Sequence, residues 1–422
     1  MKILLVTTKE LTGLNYHRQF TPHAHLQDKY GKDVYEYSKC YSLTYLTDEE
    51  IAAHDIVSFL RIAENPAVLN PTESIERAKK LGCTTILDID DYWVLHPKHP
   101  QKEIYEKNNY PQHAIDGLKA VDYVTTTTEH FADKIREYNK NVIVLPNSID
   151  PNQSQFKVQE TPNDRVRLGW IGGVFHAEDL KMVHNGFKEV WKGVNNNKFQ
   201  FCLGGWNYPE KLGYVQHQIK HAPFTPEMLH MFKYFESLLL SGKDVPNEYI
   251  FKIEFQNIPP YDLIEGYMTD FLKFPKDELY KNFLNKKEAN LTMGFDKPYR
   301  RLHGQTADNY ASMYNNIDVA LVPLVENSFN SFKSQIKIIE AGYFKKAVIV
   351  SSVMPYLVDC NKGNSILVSP SKRGDGWGSA MKSLIHNTDK REDLAEALHE
   401  HVMDNYLIDK TNEIRHQLYQ NL

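Results

Sequence analysis

Short apolar runs alternate with helical patterns along the first 150 residues. Ile3 to Val6 predicts a strand, followed by a loop that holds Gly13. Asp55 to Leu60 predicts another, then a helix over Thr72 to Leu81. Thr84 to Leu87, Val121 to Val124 and Val142 to Leu145 complete the series, with a helix over Glu129 to Tyr138 between the last two strands. Strands separated by helices of this length predict a parallel, doubly wound sheet. Asn147 to Asp164 is rich in Asn and Pro and reads as a linker. The pattern then restarts. Val166 to Ile171 is a strand ending in Gly172-Gly173, with a helix from about Glu178 to Trp191. Strands at Phe199 to Leu203, Val319 to Val322 and Ala347 to Val350 follow, with a helix over Phe332 to Tyr343. The expectation is an α/β protein with two tandem Rossmann-like domains, spanning 1–160 and 161–385. Residues from about 206 to 300 break the rhythm and read as a mostly helical insertion in the C-terminal domain. Residues 386–422 read as C-terminal helices packing back toward the N-terminal domain.

Composition narrows this picture. The chain has 422 residues, more than one hydrophobic core usually serves, so two domains are the natural division. A hydrophobic fraction of 41% with 12% aromatic residues supports substantial cores. The net charge of −5 removes a global basic field for nucleic acid or membrane, while leaving room for a local basic patch. The four cysteines are far apart, form no metal-ligand spacing and read as reduced thiols. No export signal or membrane-spanning run is expected, so the cytosol is the default and stable membrane insertion is not.

In open α/β sheets ligands bind beyond the carboxyl ends of the strands, so loops after strands are where chemistry should sit. The richest is Asn327 to Gly342. Apolar residues at 332, 336, 339 and 343 give one helical face, with Lys333, Lys337 and Glu340 on the adjoining polar face and Ser331 as the expected N-cap. A helix start with nearby lysines suits a phosphate, and a carboxylate two turns further on suits the hydroxyls of a ribose. A solvated face of Lys–Glu pairs is the alternative.

This stretch, from Asn330 to Gly342 and on through Lys346 to Val350, resembles the donor-binding segment of GT-B glycosyltransferases, family 4 in particular. That family's nine-position motif opens and closes with Glu. Glu340 matches the second, which the resemblance assigns to the donor's ribose, while the first falls on Phe332. Asn330, Lys333, Ser334 and Lys337 resemble a version of the motif built on Asn, Lys, Ser and Lys. Thr125 to Thr128 with Val144 to Asp150, Leu168 to Gly173, and Asp318 to Leu324 are similar to other parts of the family in order and spacing.

The resemblance implies a retaining enzyme that uses a nucleotide sugar, a UDP- or GDP-sugar, with no metal or other cofactor. The donor side would be Gly172, Gly173, His176, Arg301, Asn330, Lys333, Ser334, Lys337 and Glu340. Gly172 and Gly173 let backbone amides approach a diphosphate. The acceptor side would be Gly13, Tyr16, Arg18 and His99. The acceptor is expected to be a saccharide or lipid-linked glycan, with a modified DNA base as the alternative.

The stretch Asp88-Ile89-Asp90-Asp91-Tyr92-Trp93 follows a strand and admits several roles. As an Asp-x-Asp metal motif it would belong to the GT-A fold, which has a single nucleotide-binding half. Within GT-B it faces the acceptor cleft, and Asp90 and Asp91 become the candidate catalytic residues, orienting a hydroxyl or stabilising positive charge. A solvated acidic loop is the plain alternative. Two rival classes remain, a two-lobed binding protein and a sugar-nucleotide epimerase of the same architecture.

Overall fold

The computed structural model describes residues 1–8, 11–62, 71–99, 101–159, 161, 163–173, 176–205, 234–242, 298–302, 305–371 and 374–422. The chain forms two compact units. The first comprises Met1–Pro151, Glu326–Ile339 and Val402–Leu422, and the second Asn152–Val325 and Glu340–His401.

The first unit is built on strands β1 (Lys2–Val6), β2 (Glu36–Cys40), β3 (Ile56–Leu60), β4 (Thr84–Asp88), β5 (Tyr123–Thr126) and β6 (Val142–Val144). They pair in parallel in the order β2-β1-β3-β4-β5-β6. Side chains alternate across a strand, so an all-parallel sheet covered on both faces needs apolar residues at every position. Leu4, Val6, Val57, Phe59 and Leu87 face one side, where helices supply Ile75, Leu118 and Phe131. Ile3, Leu5, Ile56 and Ile86 face the other, against Leu26, Tyr35 and Tyr419. Burying each large apolar side chain contributes roughly 1.5–3 kcal/mol.

The segment after β1 is more ordered than a loop. Thr12 and Asn15 cap each other's backbone amides in a capping box. A π-helical turn follows over Tyr16–Phe20, then the helix Thr21–Tyr30. The wider turn directs Tyr16, Arg18 and Gln19 inward, and all three are buried.

The second unit carries β7 (Val166–Ile171), β8 (Phe199–Gly204), β9 (Tyr299–Leu302), β10 (Val319–Val322), β11 (Ala347–Ser351) and β12 (Ile366–Val368). These are again parallel, in the order β12-β11-β10-β7-β8-β9. Its core joins Leu168, Trp170, Phe201 and Ile349 to Phe187 and Trp377 from two helices, His184–Gly193 and Trp377–His386. These helices meet at Gly186, where a Cβ would lie 2.8 Å from Trp377 Cβ and 2.9 Å from the Gly378 nitrogen. Any larger residue there would force them apart.

Two expectations need revision. The helix expected over Phe332 to Tyr343 is two pieces, Ser328–Ser331 and Ile336–Tyr343, with Phe332 to Gln335 between them. Asn327, not Ser331, caps the first piece, its side chain accepting from the Asn330 amide at 2.9 Å. Phe332 is drawn out of helical geometry into an aromatic cluster, its ring centroid 4.8 Å from Tyr92, 4.9 Å from His130 and 5.4 Å from Phe131. Lys333 is therefore not on a shared helical face with Lys337 and Glu340. The expected insertion at 206–300 lies mostly outside the described residues. Among the described residues no helix is long and apolar enough to cross a membrane.

Candidate functional site

The carboxyl end of the first sheet concentrates charge. Asp88 closes β4 in register with Leu60 of β3 and Thr125 of β5. Its carboxylate is buried and receives both prongs of Arg18: Nε donates to Oδ1 at 2.9 Å and Nη2 to Oδ2 at 2.8 Å. Thr125 Oγ1 donates to Oδ2 at 2.6 Å. Arg18 Nη1 donates to the Leu145 carbonyl at 2.6 Å and to Asn147 Oδ1 at 3.2 Å. Arg18 is buried and committed to the sheet edge. Tyr16 is also buried, against the His17 ring. Gly13 is exposed, with open space where a Cβ would project.

Asp90 and Asp91 sit differently, and a residue that sequence reading overlooked holds them. Arg61, the first residue after β3, donates from Nε to Asp90 Oδ1 at 2.7 Å and from Nη2 to Asp91 Oδ2 at 2.6 Å. Its own amide donates to the Asp88 carbonyl at 2.7 Å. Lys333 Nζ reaches Asp91 Oδ1 at 3.3 Å and lies 4.5 Å from the Phe329 ring centre. His99 packs edge-on against the same Phe329 at 5.4 Å. Burial, then the Lys333 charge, holds the His99 imidazole below its ordinary pKa. Burial lifts the Asp90 carboxyl above the usual carboxylate range against the pull of Arg61, and the neighbouring Asp91 adds to the lift. Tyr105 joins the group, its phenol raised by burial while Arg61 opposes. Asn147 Nδ2 donates to Ser334 Oγ at 3.0 Å, so Ser334 and Lys333 are both tied into the first unit. Asn330 is buried. Among the described residues, no group of three or more His, Cys, Asp or Glu side chains is arranged to hold a metal ion.

The second unit has its own polar cluster, at the carboxyl ends of β7 and β8. The Gly172 amide donates to the Gly204 carbonyl at 3.2 Å. Gly205 has φ of 101°, and a Cβ there would stand 2.5 Å from the Gly172 carbonyl oxygen and 3.1 Å from Tyr310 Oη. Only glycine fits that left-handed, crowded position. Gly173 has open space where a Cβ would project. His176 is oriented by Asp179, Nδ1 to Oδ2 at 2.7 Å, and Asp179 in turn accepts from the Val325 amide at 2.8 Å. Glu340 is buried on the helix Ile336–Tyr343, and the Tyr314 hydroxyl donates to it. Burial, then the charge of Glu340, drives the phenols of Tyr310 and Tyr314 far above their usual pKa. Tyr310 thus stands close to Gly205 and within the electrostatic reach of Glu340. Lys337 is half-buried on the same helix as Glu340, one turn before it. The side chain of Arg301 lies outside the described residues.

Arg61 and Gly205 carried the same signal as the residues that were read, namely position just beyond a strand. Tyr105, Tyr310 and Tyr314 carried none, because no sequence spacing brings them to these clusters.

No protein-family model matches the chain, and no curated protein matches it. Its fold is similar to solved structures along its whole length. One is a sucrose-phosphate synthase from Thermosynechococcus elongatus, with TM-score 0.58 and 12% identity, covering 100% of this chain and 98% of that one. Another is a glycosyltransferase from Rickettsia africae, with TM-score 0.56 and 12% identity, covering 100% and 98%. A third is HepE of Anabaena in complex with UDP-glucose, with TM-score 0.55 and 11% identity, covering 100% of both chains. At these identities the likeness is one of fold. The chain has the GT-B fold with two Rossmann-like domains, as its strand pattern predicts.

Proposed function

We propose that this chain is a glycosyltransferase of the family-4 kind, working in the cytosol. It moves a sugar from a nucleotide-sugar donor, a UDP- or GDP-sugar, to an acceptor hydroxyl with retention of anomeric configuration and without a metal. The observation that carries this reading is the second unit's cluster, where buried Glu340 accepts from Tyr314 and acts electrostatically on Tyr310, whose hydroxyl stands close to Gly205. In this reading the Gly172 amide stays with the Gly204 carbonyl, and the Gly173 amide beyond it meets the diphosphate. His176, steadied by Asp179, contributes a donor there. Glu340 accepts hydrogen bonds from the ribose hydroxyls. The fold neighbours support the donor class, since HepE is bound to UDP-glucose.

The first unit supplies the acceptor side, through Asp90, Asp91 and His99. Transfer on one face of the sugar forms the bond from the acceptor oxygen to the anomeric carbon and breaks the bond from that carbon to the phosphate oxygen. The hydroxyl proton passes to the departing phosphate, so no carboxylate need attack. A carboxylate beside the anomeric carbon instead orients the hydroxyl and stabilises developing positive charge. A saccharide or lipid-linked glycan is the acceptor we favour. A modified DNA base is the alternative, and the Lys- and Tyr-rich stretch 206–300 that could serve it lies mostly outside the described residues.

The test is calorimetric titration with UDP, GDP, CDP and ADP, followed by UDP release from UDP-glucose. Glu340→Ala should weaken nucleotide binding roughly ten- to hundredfold, the scale of hydrogen bonds to a charged group. Asp90→Ala should bind nucleotide as the wild type does and lower turnover. Equal loss of nucleotide binding in both variants would contradict this division of labour, and no binding of any nucleotide would sink the reading.

A further inference from the structure

The three carboxylates of Asp88-Ile89-Asp90-Asp91 differ in what remains open on them. Both Asp88 oxygens are taken, by Arg18 and Thr125. Both Asp91 oxygens are taken, Oδ2 by Arg61 and Oδ1 by Lys333. Asp90 Oδ1 is held by Arg61. Among the described residues, Asp90 Oδ2 is the one oxygen of this set with no hydrogen bond, and the Asp90 side chain is 17% exposed.

Arg61 is built to impose this asymmetry. Its backbone has φ of 58°, a left-handed conformation that a side-chain-bearing residue adopts at a cost of order 1 kcal/mol and that gathers at functional sites. The turn pins its amide to the Asp88 carbonyl and sends the guanidinium back over Asp90 and Asp91. A planar fork holds two adjacent carboxylates in fixed orientation, which a single ammonium cannot do.

We propose that Arg61 is the positioning residue of the transfer site. It fixes Asp90 so that Oδ2 faces outward to accept a hydrogen bond from the incoming hydroxyl, while Asp91 serves as the tie that anchors the fork. The inference rests on the glycosyltransferase reading for what the hydroxyl is, but not for the geometry itself. Among the described residues, the charged and titratable groups around Asp90 are Arg61, Asp91 and Arg18, with Tyr105, His99 and Lys333 beyond them. Loss of Arg61 removes a nearby positive charge, so the Asp90 carboxyl should take up a proton at higher pH.

The experiment compares wild type with Arg61→Met, Arg61→Lys, Arg61→Ala, Asp90→Asn and Asp91→Asn. UDP release from UDP-glucose is read from pH 4 to 9, with water as acceptor. UDP affinity and circular dichroism are measured in parallel. Asp90→Asn and Arg61→Met should each lower kcat about a hundredfold with KM for UDP-glucose within about twofold, as expected for loss of the group that orients the hydroxyl. Asp91→Asn should lower it less than about tenfold. Arg61→Lys should recover only part, and methylguanidinium should restore part of the activity of Arg61→Ala. Wild-type kcat in Arg61→Met, or an Asp91→Asn loss as deep as that of Asp90→Asn, overturns the proposal. If the wild type does not turn over UDP-glucose, transfer from that donor is what fails, and Arg61 is judged by carboxyl carbon NMR of Asp90. In Arg61→Met its midpoint should rise by about one pH unit or more, a tenfold change in proton affinity. An unmoved midpoint overturns the proposal.

Discussion

Two arginine–aspartate arrangements stand side by side at the carboxyl end of the first sheet, and they have opposite characters. Arg18 and Asp88 are buried, at 2% and 3% exposure, and every oxygen of Asp88 has a partner. Arg61 with Asp90 and Asp91 is about one-third to one-sixth exposed and leaves one oxygen unused. The first pair is closed and can only hold structure. The second is held just as firmly at its inner atoms and keeps an outer atom for something else. A carboxylate in such a sheet edge is best judged by what its second oxygen does, since the motif letters are the same in both cases.

Three further experiments break or sharpen that contrast. The largest effect should come from Asp88→Ala, which leaves Arg18 charged and buried without its partner. Removing one member of a buried pair costs about 3–5 kcal/mol. Urea denaturation should show that loss, whereas a change below about 1 kcal/mol would put Asp88 in the same open class as Asp90.

Next comes acid sensitivity. His23 is buried beside this network, with Nδ1 donating to the Gln19 carbonyl at 2.6 Å and Nε2 accepting from the Tyr419 hydroxyl at 2.8 Å. Burial, then the Arg415 charge, lowers its pKa to about 3. The unfolded chain binds that proton near pH 6.5 and the folded protein only near pH 3, so stability is lost as pH falls through this window. His23→Leu should show a flatter loss between pH 6 and 4 in urea melts. An acid limb as steep as that of the wild type would mean that other groups dominate it.

The smallest effect should come from Lys333→Met. Its pair with Asp91 is partly exposed on both sides, 21% and 26%, so the change should cost less than about 1 kcal/mol. A larger loss in thermal melts would move the Asp91 tie toward the Arg18 class.

The strands carrying buried apolar runs were legible, because an all-parallel sheet demands hydrophobic residues on both faces. The edge strand β2, Glu-Tyr-Ser-Lys-Cys, was not, since it is only partly covered and reads as polar. Position after a strand is what singles out Glu340 and the glycine turn at 172–173 as candidates. The burial of Arg18 was not legible, because sequence does not show that a π-helical turn rotates it inward. Phe332 was misjudged because helical spacing does not reveal three aromatic rings waiting in another part of the chain. Tertiary packing decided both.

The placement of Tyr419 bears on how the protein is made. The first unit includes Met1–Pro151 and is completed by Val402–Leu422, whose Tyr419 covers Ile3, Leu5 and Tyr35. About 250 residues separate those two segments. At ordinary elongation speeds the nascent sheet waits roughly 10–50 s with that apolar face only partly covered, by Leu26 and Tyr35. Synthesis thus leaves a long interval in which a chaperone can bind the emerging chain, and the arrival of the helix Ile408–Gln420, which carries Tyr419, ends it.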